Sequence, residues 1–178
     1  MKAAACVCVR SVYIPPDPSI DPPYRKRKSA LSSSASTIDP AVARDLLARA
    51  RQARANAYAP YSRFPVGAAL LAADGRVFTG CNVENASYGL GNCAERVAIG
   101  KAVSEGAREF AAIAVTGPED GTACAPCGAC RQVLSEFGPD LPVVTPSGNA
   151  EGYQLTSMGQ LLPGAFGPAA LAASQRDR

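Results

Sequence analysis

The chain has 178 residues, 47% of them apolar, with 18 basic and 15 acidic side chains and a net charge of +3. That suffices for one domain with a real core and is too little for two ordinary ones; no apolar run approaches the ~20 residues of a membrane helix, so a soluble protein is expected. Histidine is absent, which excludes imidazole bases, the triads built on them and any zinc site with an imidazole ligand.

Residues 1–37 hold five prolines, seven serines and the run Arg25, Lys26, Arg27, Lys28, with no pattern able to bury a face. They read as a flexible extension of unknown role. Their six basic and two acidic residues account for a balance of +4, which leaves −1 on the other 141 residues. A nucleic-acid binder would carry its positive stripe on the folded body, so no nucleic-acid partner is expected. Asp39-Pro40 is a helix start, an N-cap oxygen followed by a residue with no N–H to satisfy, and the helix is predicted to run to about Ala57. Phe64 to Ala72 and Arg76 to Cys81 read as strands joined by the Asp74-Gly75 turn. Helices are expected from Cys93 to about Glu105 and from Cys127 to Phe137, with strands at Phe110–Thr116 and Pro142–Thr145. A weaker strand at Tyr153–Leu155 and a short helix near Ser157–Leu162 follow. Helices alternating with single strands after a hairpin indicate a mixed sheet with helices on both faces. One domain is expected over 38–171, with 172–178 as a C-terminal tail.

Four of the seven cysteines, Cys93, Cys124, Cys127 and Cys130, fall within 38 residues at spacings that suit a metal better than disulfides. A reducing, cytoplasmic setting is the expectation. Cys127-Gly128-Ala129-Cys130 puts two sulfurs one helical turn apart, within reach of one tetrahedral metal. Alone, such a pair reads equally as buried small residues or a redox dithiol. Cys93 changes the balance, because it opens another helix and is followed by a carboxylate in Cys93-Ala94-Glu95. Helix N-termini favour thiolates, and three sulfur ligands leave the fourth zinc position open, as catalytic sites require. Three thiolates call for a nearby cation; Arg96 is favoured as the donor to the sulfurs, with Arg131 assisting. Glu95 is the group placed to move protons, although a glutamate in a first helical turn also simply complements the dipole.

Cys93-Ala94-Glu95-Arg96 together with Pro126-Cys127-Gly128-Ala129-Cys130-Arg131-Gln132-Val133 resembles the cytidine deaminase signature in its all-cysteine form. The resemblance continues through Phe64-Pro65-Val66-Gly67-Ala68-Ala69-Leu70, the stretch Gly80 to Tyr88 and Leu161 to Phe166, and covers roughly residues 39–171. It implies a three-layer α/β/α sandwich around a five-stranded mixed sheet, one zinc per subunit on Cys93, Cys127 and Cys130, and Glu95 as proton shuttle. It implies that Phe64 packs on the nucleoside, that Asn82 and Glu84 hold the ribose 3′-hydroxyl, and that the Ala94 N–H binds the pyrimidine carbonyl. It also implies a homotetramer in which Tyr88 and Phe166 enter the site from neighbouring subunits. The activity implied is hydrolytic deamination of cytidine and deoxycytidine in pyrimidine salvage.

Three rival readings stand beside it. A zinc ribbon or iron–sulfur protein is suggested by Cys124, Cys127 and Cys130, but the fourth ferredoxin ligand would fall on Leu134, followed by Ser135 where proline is expected. A polynucleotide-editing deaminase lacks its basic and aromatic interleaving. A deaminase of a cytosine-nucleoside antibiotic shares the metal signature and differs only in the substrate-facing residues.

Overall fold

The computed structural model of the chain describes residues 38–168 and 170, so the extension expected at 1–37 and the tail at 172–178 lie outside the described residues. Helix α1 runs Pro40–Arg54. Asp39 caps it as the sequence predicts, its Oδ1 accepting from the Ala41 N–H at 2.7 Å. The helix closes before Ala57 because the last turn tightens: the N–H groups of Ala55, Asn56 and Ala57 each reach back only three residues. Tyr58 then donates to the Asn82 carbonyl and the chain leaves the helix axis.

Strands β1 (Gly67–Ala72) and β2 (Val77–Cys81) form the expected hairpin. β1 begins three residues later than Phe64, because a side chain replaces the ladder there. Asn82 accepts the Val66 N–H on Oδ1 at 2.8 Å and donates Nδ2 to the Phe64 carbonyl at 3.0 Å. Helix α2 (Ala94–Ser104), strand β3 (Phe110–Thr116), helix α3 (Gly128–Ser135), strands β4 (Pro142–Pro146) and β5 (Tyr153–Ser157) and the short helix α4 (Met158–Leu161) complete the order. The five strands make one sheet in the order β2-β1-β3-β4-β5, in which only β3 and β4 are parallel.

Alternation along the strands splits the core in two. Ala69, Ala112, Ala114 and Val144 pack with Ala43, Leu46, Leu47 and Ala50 of α1. The intervening residues Ala68, Leu70, Ile113, Val115 and Val143 pack with Ala98 and Ile99 of α2, Leu134 of α3 and Met158 of α4. The result is the three-layer α/β/α sandwich with a five-stranded mixed sheet. Both helical layers sit close to the sheet because glycine stands at the contact: a Cβ on Gly67 would lie 1.9 Å from the Ala50 carbonyl oxygen of α1, and one on Gly80 would lie 2.4 Å from that of Ala94 in α2. Among the described residues no helix is long and apolar enough to cross a membrane.

The register sets the site's location. Gly67 pairs with Cys81 on one side and with Thr116 on the other. The segments leading into β1, out of β2 and out of β3 therefore emerge at one end of the sheet, and the last two lead directly to Cys93 and Cys127.

Candidate active site

Cys93 and Cys127 are the N-cap residues of α2 and α3, both extended and neither using its sulfur to cap its own helix. The two sulfurs are thus free to face each other across the converging helix starts, 3.8 Å apart. Cys130, one turn into α3 and fully buried, completes a group whose sulfurs all lie within 4.8 Å of one another. Tetrahedral zinc with bonds of about 2.3 Å separates its sulfur ligands by about 3.8 Å, so the donor set fits that ion in element and spacing. Electrostatics point the same way. Burial first, and then the neighbouring sulfur and Glu95 charges, push the Cys93 and Cys130 thiols up, Cys130 far up, whereas at Cys127 burial is outweighed by hydrogen bonds from Cys130 and Cys93 and the thiol is lowered; a cation among them would favour ionisation of the two raised thiols. Cys124 stands apart from this group. Its sulfur lies 3.2 Å from where a side chain on Gly117 would begin, alongside Phe64 Cζ at 3.3 Å.

Glu95, in the first turn of α2, is 3% exposed and is the only acidic residue in the described core. Burial pushes its carboxyl above the usual carboxylate range, opposed by a backbone hydrogen bond, by Cys130 and by the charge of Arg96. The carboxylate thus adjoins the sulfur cluster, as expected. Arg131 is engaged by the backbone. Its Nε donates to the Pro126 carbonyl at 2.7 Å and its Nη1 to that of Leu161 at 2.8 Å, so it ties the residue before Cys127 to the end of α4. The guanidinium acts on the frame of the cluster, while Arg96 is the cation whose charge reaches Glu95.

Two loops, 58–64 and 82–92, carry Phe64, Asn82, Glu84 and Tyr88 and form a mouth of their own, whose lining includes none of the clustered cysteines and not Glu95. They are stitched by Tyr58 pairing with Val83 and Val83 with Asn92, and they enclose a cavity of about 400 Å³ lined by Tyr61, Ser62, Glu84, Asn85, Tyr88 and Gly91. Among the described residues Glu84 pairs with no arginine: its Oε2 accepts from the N–H groups of Tyr61 at 2.9 Å and Ser62 at 3.2 Å, and its Oε1 from the Ser62 hydroxyl. The Asn82 side chain is spent largely on the backbone, which leaves one amide hydrogen for a ligand. Phe64 is half exposed, Ala94 is wholly buried at the start of α2, and Tyr88 and Phe166 are 81% and 62% exposed. Gln132 of α3 donates to the Phe166 carbonyl at 2.7 Å and holds that segment against the helix.

Residues 41–145, which contain all three clustered cysteines and Glu95, match the family described as "Cytidine and deoxycytidylate deaminase zinc-binding region". The chain belongs to the cytidine deaminase family. It is 51% identical over 122 residues to a cytidine deaminase of Sporosarcina psychrophila, covering 68% of this chain and 88% of that protein. Identity to the Halalkalibacterium halodurans cytidine deaminase is 55% over 123 residues, covering 68% and 91%. The crystal structure of cytidine deaminase from Burkholderia pseudomallei superposes with a TM-score of 0.64 at 56% identity, covering 69% of this chain and 98% of that one. That of Mycobacterium tuberculosis gives 0.61 at 46%, covering 70% and 96%. As a member of this family the chain is a zinc-dependent deaminase, and the three-sulfur group could hold the metal that the family description calls for.

Sequence reasoning had no signal for Ser62, whose hydroxyl joins the two sides of the mouth. It also had none for Arg54 of α1, which donates to the Gly117 carbonyl and, with Arg51, pairs with Asp120, so anchoring the loop that ends at Cys127. Both contacts bridge residues far apart in the chain.

Proposed function

We propose that the chain hydrolyses the exocyclic amine of free cytidine and deoxycytidine to uridine or deoxyuridine and ammonia, with zinc on Cys93, Cys127 and Cys130 and Glu95 moving the protons. The observation that carries this reading is the buried Glu95 carboxylate set against three sulfurs spaced for tetrahedral zinc. When bound, zinc supplies Lewis acidity that makes water a usable nucleophile near neutral pH. Glu95 takes a proton from that water and gives it to the ring nitrogen beside the amine-bearing carbon as oxygen adds to the carbon. It then takes the hydroxyl proton of the adduct and gives it to the departing amine, which leaves as ammonia. Burial suits this traffic, because a carboxyl shielded from bulk water exchanges its proton with the substrate and not with solvent.

Phe64 packs on the base, the Ala94 N–H at the open start of α2 binds the pyrimidine carbonyl, and Glu84 with the remaining Asn82 amide hydrogen holds the 3′-hydroxyl. Arg96 offsets the thiolate charge. The enzyme is a homotetramer in which Tyr88 and Phe166 complete neighbouring sites; the support is their large exposed aromatic surface at the mouth and on the segment held by Gln132. It works in the cytoplasm in pyrimidine salvage, on free nucleosides and not on nucleic acid. The deciding assay follows the fall in cytidine absorbance with cytidine, deoxycytidine, cytosine and cytidine monophosphate. Turnover of both nucleosides, lost on chelation and restored by zinc, is expected; turnover of neither nucleoside by the zinc-loaded enzyme overturns the reading.

A further inference from the structure

One hydroxyl stands between the two parts of the mouth that the proposed function assigns to sugar and base. Ser62 Oγ donates to Glu84 Oε1 and accepts the Phe64 N–H at 3.0 Å. Both directions are forced, since the ionised carboxylate has no proton to give and the N–H can only donate. Glu84 Oε2 is occupied as well, by the N–H groups of Tyr61 and Ser62. An ionised carboxylate offers about four acceptor sites. Three are filled by this loop, so about one is left for a ligand and its direction is fixed from outside the Glu84 side chain. Phe64 is held at both of its backbone polar groups, by Ser62 at its N–H and by Asn82 at its carbonyl. Of these two holders, Ser62 is the one that also grips the carboxylate. The Ser62 hydroxyl is also the foremost reason that Glu84 lies below the usual carboxylate range; desolvation opposes it, and the two loop N–H groups add to the lowering.

We infer that Ser62 is a positioning residue that sets the distance and angle between the Glu84 carboxylate and the Phe64 ring, and so matches the site to a base and sugar joined in one nucleoside. The inference rests on the roles proposed above for Glu84 and Phe64. A side chain that merely capped the turn would raise no demand on the sugar. A hydroxyl that aims the carboxylate matters only when the ligand has a 3′-hydroxyl for it to receive.

The test is steady-state kinetics of Ser62→Ala, Ser62→Thr, Glu84→Gln and the double variant Ser62→Ala/Glu84→Gln, on cytidine and on 2′,3′-dideoxycytidine, with zinc content measured on each protein. Losing one charge-assisted positioning bond should raise KM for cytidine about tenfold in Ser62→Ala, with kcat changed far less and zinc retained. Ser62→Thr, which keeps the hydroxyl, should restore KM. On the dideoxy substrate the effect of Ser62→Ala should shrink to about threefold or less, and in the Glu84→Gln background it should nearly vanish for cytidine. If Ser62→Ala does not fold, Ser62→Gly carries the same comparison. The inference is overturned if Glu84→Gln raises KM for cytidine while removal of the hydroxyl leaves it alone or raises it equally for both substrates. If Glu84→Gln itself leaves KM for cytidine unchanged, the proposed role of Glu84 fails, and the inference falls with it.

Discussion

Glu95 and Cys130 share one buried corner, yet the chemistry asked of them differs, and single substitutions separate them. Glu95→Gln keeps the size of the side chain and removes its ability to accept a proton. Turnover is expected to fall by about 10² to 10⁴, the range for general acid–base catalysis, with zinc still bound; near-normal turnover would return Glu95 to the role of a helix-dipole partner. The sulfurs should behave in the opposite way. Cys93→Ala, Cys127→Ala or Cys130→Ala removes one of three ligands from a site with no further clustered donor among the described residues, and each should lose most of its zinc. Cys124→Ser should stay loaded, because that sulfur packs by Gly117 and Phe64 outside the group. Zinc assayed on the four purified proteins checks the assignment.

Helix α2 carries Cys93 at its cap, Ala94 at its first position and Glu95 at its second, so its placement against the sheet sets the geometry of the reaction. That placement depends on the missing side chain of Gly80 in β2: a Cβ there would stand 2.4 Å from the Ala94 carbonyl oxygen and 2.6 Å from the Ala98 nitrogen, both helix backbone. Gly80→Ala must therefore move the helix. Overpacking of this kind costs about 1–3 kcal/mol, and the displacement falls on the site, so loss of zinc and of activity should accompany a lower melting temperature. Asp39→Ala supplies the contrast. It removes the N-cap bond of α1, on the opposite face of the sheet, and should lower stability by about 1 kcal/mol while zinc content and KM stay as they were. Denaturant unfolding and zinc content of the two variants distinguish a helix that positions the site from one that only covers the sheet.

Tyr58, Tyr61, Tyr88, Leu90 and Phe166 leave much apolar surface in water, from 50% to 81% exposed. Tyr61 and Tyr88 already meet edge to face with ring centres 6.0 Å apart, so part of this surface is a formed aromatic cluster. Such a surface at the mouth of a site fits the proposed association of subunits. Sedimentation of the zinc enzyme should give a tetramer. Mixing tests whether the sites are shared: Glu95→Gln subunits supply Phe166 but no shuttle, and Phe166→Ala subunits supply the shuttle but no ring. Co-refolded mixtures should then be more active than the sum of the two parents, whereas no gain would mean that each site is complete within one chain.

The metal cluster was legible because its signals are local. Cys93 and Cys127 each open a helix, and helix starts announce themselves through short patterns such as Asp39-Pro40 or Pro126-Cys127. The order of elements likewise gave the two-sided sheet, since helices alternating with single strands after a hairpin supply cover for both faces. The failures lie where a distant side chain takes over a backbone group. β1 starts at Gly67 and not at Phe64 because Asn82, 16 residues on from Val66, supplies the hydrogen bonds that a ladder would have made. Arg131 stands next to Cys130 in the chain, and nothing local signals that its guanidinium also reaches the carbonyl of Leu161, 30 residues away. Ser62 meets Glu84 across 22 residues, a partnership that neither segment encodes alone. Spacing along a chain carries periodicity and capping chemistry, which depend on neighbours within a turn. The meeting of loops at one end of the sheet depends on strand order and register, which arise only when both faces of the sheet are buried at once.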